Sequence, residues 1–392
     1  MGSKFRFIVT TLSFIALTAA GQNKPDFQSV DSLTYKYYLS NEWEKLIKEG
    51  NNAIDNNIDY KYLRQRIGYA YYSKGNYIQA KKHFEKALAF DSFNDFTLTY
   101  LYYSYLSLGE DEYASLISAK MSDELRKQLN IRFFKPIESV DFEYNYKFVT
   151  SSLRSDPQYF HIGLNTILGA RFSLYQMFGH YNQTYLVQQF GGYRKIPDTQ
   201  PEYYALLKFA VSRHFIISSA YHYLNPTYDQ VASPIHLGMI DISSGKGRFN
   251  LGLNVSVLNT SSYTVRQAGI RTVISFTNNV HMYFGSSLSM TFKRKEDHII
   301  FTQTAGFKVY RNLWIEGNVT AGNFTDYHDH EAMYVYDFID PTIFRTGITG
   351  LLYTGKHLSL WTNLSLEQKE YNSNTNYHYN QFSYLGGIKW KL

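Results

Sequence analysis

From residue 137 to the end of the chain, apolar and polar residues alternate one by one. Val140, Phe142, Tyr144, Tyr146 and Phe148 interleave with Asp141, Glu143, Asn145 and Lys147. Phe249, Leu251, Leu253, Val255 and Val257 interleave with Asn250, Gly252, Asn254 and Ser256. The same rhythm runs from Met282 to Phe292, from Leu358 to Glu367, and through Phe382, Tyr384, Ile388, Trp390 and Leu392. A period of two is the signature of a strand with two unlike faces. Strands are predicted over 139–149, 159–168, 170–180, 202–213, 214–224, 234–243, 247–258, 264–275, 279–292, 298–309, 312–321, 343–354, 357–369 and 378–391. Gln176 and Asp241 interrupt the rhythm in the third and sixth.

Most of these strands are longer than the usual soluble strand of about 5–6 residues. Their polar faces are rich in Gly, Ser, Thr and Asn, which suits a wet interior. Tight links at Gly169, Arg213-His214, 243–247, 277–279, 310–312 and Gly355-Lys356 alternate with longer ones, the longest being 181–201 and 322–342. Short turns on one side and long loops on the other are the rhythm of an antiparallel transmembrane β-barrel. The count is about fourteen, with twelve or sixteen as alternatives. An even count puts both barrel termini on the short-turn side.

The period changes upstream of Pro136. Between residues 27 and 128, similar residues recur every 34 positions: Leu33, Ile67 and Leu101; Tyr37, Tyr71 and Tyr105; Ala53, Ala87 and Met121. A fixed period in this range marks stacked helical hairpins. Gly68, Ala80 and Ala87 would let paired helices approach, while Tyr71, Tyr77 and Phe84 would fill the gaps between hairpins. These offsets resemble the tetratricopeptide repeat, about three units of it, although Arg64 and Ser92 stand where that pattern prefers Trp and Pro. The resemblance implies a groove for a peptide or protein partner. A helical spacer that binds nothing is the alternative.

Residues 1–21 carry Lys4 and Arg6, an apolar stretch from Phe7 to Leu17, and the small residues Ala19, Ala20 and Gly21, the pattern of a secretory signal peptide. The expected division is therefore signal peptide 1–21, periplasmic helical domain 22–135 and barrel 136–392. This is an α + β multidomain chain.

Composition sharpens the picture. Aromatic residues make up 18% of the 392, with 37 Tyr and 28 Phe, which a barrel uses in girdles at its two membrane interfaces. Tyr144, Tyr146, Phe178, Tyr203, Phe276, Phe292, Phe344, Phe382 and Tyr384 are the girdle candidates. With no cysteine, disulfide frameworks and thiolate metal sites are excluded. A net charge of +6, dispersed along the chain, gives no nucleic-acid footprint.

Candidate chemistry is sparse. Asp326, His328, His330 and Glu331 are metal-ligating residue types in one long connection, and the simpler reading is a solvated acidic loop tip. His281 shares a polar strand face with Ser287 and Ser289, but no hydrolase motif surrounds them, and no cofactor motif is present. An enzyme is not expected. The charged residues assigned to the bore are Arg171, Lys208, Arg271, Lys308, Arg345, Lys389 and Lys391, against Asp141, Glu143, Glu316 and Glu367. Such a bore would favour an anionic solute or polymer, unless the charges pair and close it.

Helical repeats ahead of a barrel that ends in Trp390-Lys391-Leu392 resemble exopolysaccharide-export outer-membrane proteins and the YaiO-like barrels. That resemblance implies a non-enzymatic pore or transport-associated barrel, with the outer-membrane lipids and the barrel-assembly machinery as partners and a periplasmic partner in the repeat groove. An anchored interaction scaffold is the alternative, and a barrel hydrolase a third.

Overall fold

A computed structural model describes residues 26–392 except 294, 295, 330, 338, 372 and 373, and leaves the side chains of 246 and 374–376 undescribed. The expected signal peptide, residues 1–21, lies outside the described residues.

Seven helices come first: α1 (Phe27–Leu39), α2 (Trp43–Asp55), α3 (Lys61–Ser73), α4 (Tyr77–Phe90), α5 (Asp95–Ser107), α6 (Asp111–Ser118) and α7 (Asp123–Gln128). Consecutive helices pair as hairpins. Their interiors follow the 34-residue spacing: Leu46, Ala80 and Ala114 are buried, as are Ala53, Ala87 and Met121. Asn76 and Asn94 cap α4 and α5 by accepting from Gln79 N and Thr97 N. Gly68 lies against the ring of Phe84, where a Cβ would overlap the aromatic edge. Tyr77 meets Tyr72 edge-on at 5.5 Å, and Tyr71 packs on His83.

The barrel strands are β1 (Phe134–Val149), β2 (Gln158–Leu168), β3 (Phe172–Gln189), β4 (Gly192–Ser212), β5 (Phe215–Leu224), β6 (Ile235–Lys246), β7 (Phe249–Asn259), β8 (Thr264–Ser275), β9 (Met282–Lys293), β10 (Glu296–Tyr310), β11 (Leu313–Ala321), β12 (Thr342–Thr354), β13 (Leu358–Tyr371) and β14 (Asn374–Lys391). Each pairs antiparallel with its sequence neighbours, and β1 closes onto β14 from Ser139↔Lys391 to Val149↔Gln381. The result is a closed fourteen-stranded barrel without a free edge. At the short-turn rim, Gly247 takes φ +63 between β6 and β7, a left-handed conformation glycine adopts without strain.

The faces are sorted as the alternation dictates. On β7, Leu251, Leu253 and Val255 are exposed on the outside, while Asn254 and Ser256 are buried inside. Most girdle candidates are exposed, and Tyr203 and Phe344 are half-buried. Gln176 is an outward polar residue, and the hydroxyl of the neighbouring Tyr203 donates to it at 2.9 Å. Asp241 falls on the inward face and is buried.

Three expectations need correction. The connection 181–201 is not a loop. β3 and β4 stay paired from Phe172↔Phe209 to Gln189↔Gly192, because Tyr181, Gln183 and Tyr185 continue the inward alternation. The hairpin rises beyond the rim, where Thr227–Tyr228 pairs against it and Val231–Ala232 pairs in turn with Thr227–Tyr228. Secondly, β1 begins at Phe134, so Pro136 sits within the strand, in the register shift between Lys135 and Ser139 that spares a missing N–H. Thirdly, the segment 322–341 does not project into solvent but turns into the bore.

The helical domain packs on the rim that carries the short turns. Ile78 N donates to Asn278 O in the β8–β9 turn at 3.0 Å. Ile216 of β5 packs against the apolar core that α4, α5 and α6 share.

Candidate functional site

Between β11 and β12 the chain passes Gly322, whose φ is +134. A Cβ there would overlap the carbonyl oxygen of Ile299, so the close approach of the two backbones requires glycine. Beyond it the segment enters the barrel. Phe324, Tyr327 and Tyr336 are buried around Ile300, with ring centroids 5.2 to 5.8 Å apart. A tip with that many rings gains from leaving water.

Inward polar residues of many strands hold it there. Asp326 accepts from Tyr263 Oη at 3.1 Å and Lys293 Nζ at 2.7 Å. Ser256 Oγ lies 2.6 Å from His328 Nε2, and Gln267 bonds both the N–H and the carbonyl of His328. The carbonyl of Ala332 meets His222 Nδ1 at 2.8 Å. Glu331 takes Lys208 Nζ at 2.8 Å, and its carbonyl takes the Tyr204 hydroxyl at 2.6 Å. Tyr334 donates to Glu143 Oε1 at 2.8 Å, and Arg345 bonds Tyr336. Arg154 closes the far end on Asp340 through Nε at 2.7 Å. Asp326 and His328 are thus buried anchors, which corrects the solvated-tip reading. Among the described residues, no group of three His, Asp or Glu could hold a metal, and His330 lies outside them.

The residues assigned to the bore fall as follows. Asp141 accepts from Tyr175 Oη at 2.9 Å and faces His161 at 3.3 Å. Glu143 receives Tyr334 and the indole N–H of Trp361, the latter at 3.0 Å. Glu316 accepts from Tyr283. Glu367 faces Lys147 at 3.5 Å, Arg345 at 4.0 Å and Gln381 Nε2 at 2.8 Å. Arg271 reaches Asp241 at 3.9 Å, and Lys308 lies 5.8 Å from the Trp314 ring. Arg171 is at the rim, exposed, donating to the carbonyls of Ala210 and Val211. Lys391 pairs with Glu138 at 2.9 Å. Lys208, Arg271, Arg345 and Lys391 thus face carboxylates within 4.0 Å, and Lys389 borders the space between the barrel and the helices.

Two cavities flank the loop, one on each side. The lower, about 610 Å³, lies between the helical domain and the barrel mouth; Tyr102, Glu112, Lys389, Glu331 and Met333 border it. The upper, about 320 Å³, is inside the barrel and is bordered by Glu143, Glu316, Asp329, Tyr334 and Tyr336. Loop residues 331 and 333 face the first and residues 329 and 334–336 the second, so the loop is the partition. Trp361 borders both. Lys147 and Glu367 border the upper cavity as a buried pair, and Lys369 and Tyr379 are buried against Asp340.

Sequence reasoning missed Ser256, Tyr334, Trp361 and Lys369 as site residues. The usable signal was composition: Phe324, Tyr327, Tyr334 and Tyr336 are too apolar for a solvated tip.

A closed antiparallel barrel with an apolar outer belt and a polar bore defines a transmembrane β-barrel of the outer-membrane type. No helix among the described residues is long and apolar enough to cross a membrane. No family model and no curated protein matches the sequence. Among solved structures the fold is similar to a bacterial polysaccharide outer membrane secretin, at 10% identity and TM-score 0.41 over 66% of this chain and 99% of that one. It is also similar to the CymD monoaromatic hydrocarbon channel, at 7% identity and TM-score 0.43 over 65% and 89% of the two chains. A third is the KdgM porin in complex with disordered oligogalacturonate, at 11% identity and TM-score 0.33 over 64% and 99%. Likeness at this level concerns the barrel architecture alone.

Proposed function

We propose that this protein is a non-enzymatic outer-membrane transport barrel, held closed by the segment 322–341, with its helical domain on the periplasmic side as a docking platform. The observation that carries this reading is the partition. One loop separates a chamber open toward the helices from a cavity inside the bore, held there by polar contacts and by its buried apolar residues. A polysaccharide is the cargo class the architecture suggests, with the helical repeats gathering the chain or its handling enzymes. The first and second hairpins, α1–α2 and α3–α4, supply a surface for such a partner.

The test is conductance in planar bilayers. The full-length protein should conduct little. Replacing 325–339 by a short Gly-Ser link should give a large, steady conductance. Deleting 27–128 should alter access from the helical side and change conductance or selectivity. The buried cluster of Lys147, Glu367, Lys369 and Asp340 favours a second reading, an anchored scaffold whose bore never opens. A loop-deleted barrel that still shows heat-modifiable migration on gels but never conducts would establish that second reading.

A further inference from the structure

Trp361 stands where the two cavities meet. It is an inward residue of β13, directly opposite Gly387 on β14. A Cβ at position 387 would overlap the indole, so the ring lies against the bare backbone of its neighbour. Its N–H is held by Glu143 Oε2 at 3.0 Å, and the other oxygen of Glu143 is held by the Tyr334 hydroxyl at 2.8 Å. The ring is therefore seated against the barrel wall, its N–H is held, and it borders both cavities.

Polar groups stand among the apolar ones around that space. Asp141 and Lys389 border it below, and Asn363 and Thr349 border it above. A flat apolar ligand would strand these groups without partners. An anion on the ring would sit beside the Glu143 carboxylate that holds its N–H, against like charge. A pyranose ring meets both demands. Its C–H face covers an indole, and its hydroxyls both donate and accept toward carboxylate, amide, hydroxyl and ammonium groups. The upper cavity, about 320 Å³, is of small-ligand size.

We infer that Trp361 is a stacking platform for an uncharged sugar ring, placed so that a glycan passing from the chamber into the bore crosses it. The inference deepens the transport reading, and its test does not depend on conduction. The full-length protein in detergent is titrated calorimetrically with maltohexaose, cellohexaose, N-acetylchitohexaose and hexagalacturonate. At least one uncharged hexasaccharide should bind, about tenfold or more tighter than hexagalacturonate. Trp361→Leu should weaken that binding by about tenfold or more, and Trp361→Phe should restore part of it. Gly387→Val, which keeps the indole but fills its seat, should weaken binding as Trp361→Leu does. Heat-modifiable migration certifies each variant as a folded barrel. Absence of binding by all three uncharged probes, an unchanged Kd in Trp361→Leu, or preference for hexagalacturonate overturns the inference. A loop-deleted barrel that conducts but is not blocked by any of the three would also overturn it while leaving the transport reading intact. Sugar binding by a barrel that never conducts would do the reverse.

Discussion

Ser256 of β7 and His328 of the inward loop lie 2.6 Å apart, Oγ to Nε2, in the interior of the barrel. The other ring nitrogen faces the carbonyl oxygen of Asp329, so the imidazole carries its proton there and Nε2 accepts from the serine hydroxyl. Both residues are buried, and neither is among the residues bordering the two cavities described above. The pair joins the loop to the barrel wall. Its role is to fasten the loop. Ser256→Ala leaves a buried imidazole nitrogen without its donor, at a cost of about 1–3 kcal/mol. The expected outcome is faster proteolytic cleavage within 325–339, with the barrel's heat-modifiable migration unchanged.

Gly322 makes a related prediction. Its φ of +134 and its contact with the Ile299 carbonyl leave no place for a side chain. Gly322→Val should prevent the loop from entering along this path. Open-channel conductance should rise relative to wild type, and a bromoacetyl-type probe on a Met333→Cys variant should react faster when Gly322 is also replaced.

The two faces of β7 give a third. Leu253→Arg places a charge on the lipid side of a mid-strand position and should cost roughly 2–4 kcal/mol. Asn250→Arg, on the inward face next to the short-turn rim, should cost far less. Urea-dependent unfolding in detergent or lipid, read from tryptophan fluorescence, measures both. Equal losses would mean the faces are assigned wrongly.

A fourth concerns acidity in the helical domain. His83 is buried on α4 with Arg64 at 3.4 Å, and burial, then the Arg64 charge, push its pKa down to about 3 from an ordinary 6.5. The folded domain therefore holds His83 neutral where an unfolded chain would protonate it. Stability from this group is complete above pH 6.5 and falls as pH drops from 6.5 toward 3, by at most about 1.4 kcal/mol per pH unit. The helical circular-dichroism melt of the full chain should move to lower temperature between pH 7.5 and pH 5. In His83→Gln it should move less.

The strands were legible in the sequence because a period of two is local. Each strand needs only its own residues to declare two faces, and a lipid-facing barrel cannot blur them. All fourteen predicted segments overlap observed strands, and the short turns fall where Gly169, Arg213-His214, Arg311-Asn312 and Gly355-Lys356 lie. The helical segment was legible for a similar reason: residues 34 apart occupy equivalent places in successive hairpins. What the sequence could not declare is where a connection goes once it leaves a strand. Nothing local distinguishes a loop that rises into water from one that falls into the bore. That choice depends on Ser256, Gln267, Lys208, Glu143 and Arg345, from five different strands, converging on one segment. The seat of Trp361 has the same character. A tryptophan and a glycine 26 positions apart become a platform only when β13 and β14 pair in the one register that sets them opposite each other. The alternation determined the barrel, and the closure of the barrel decided what fills it.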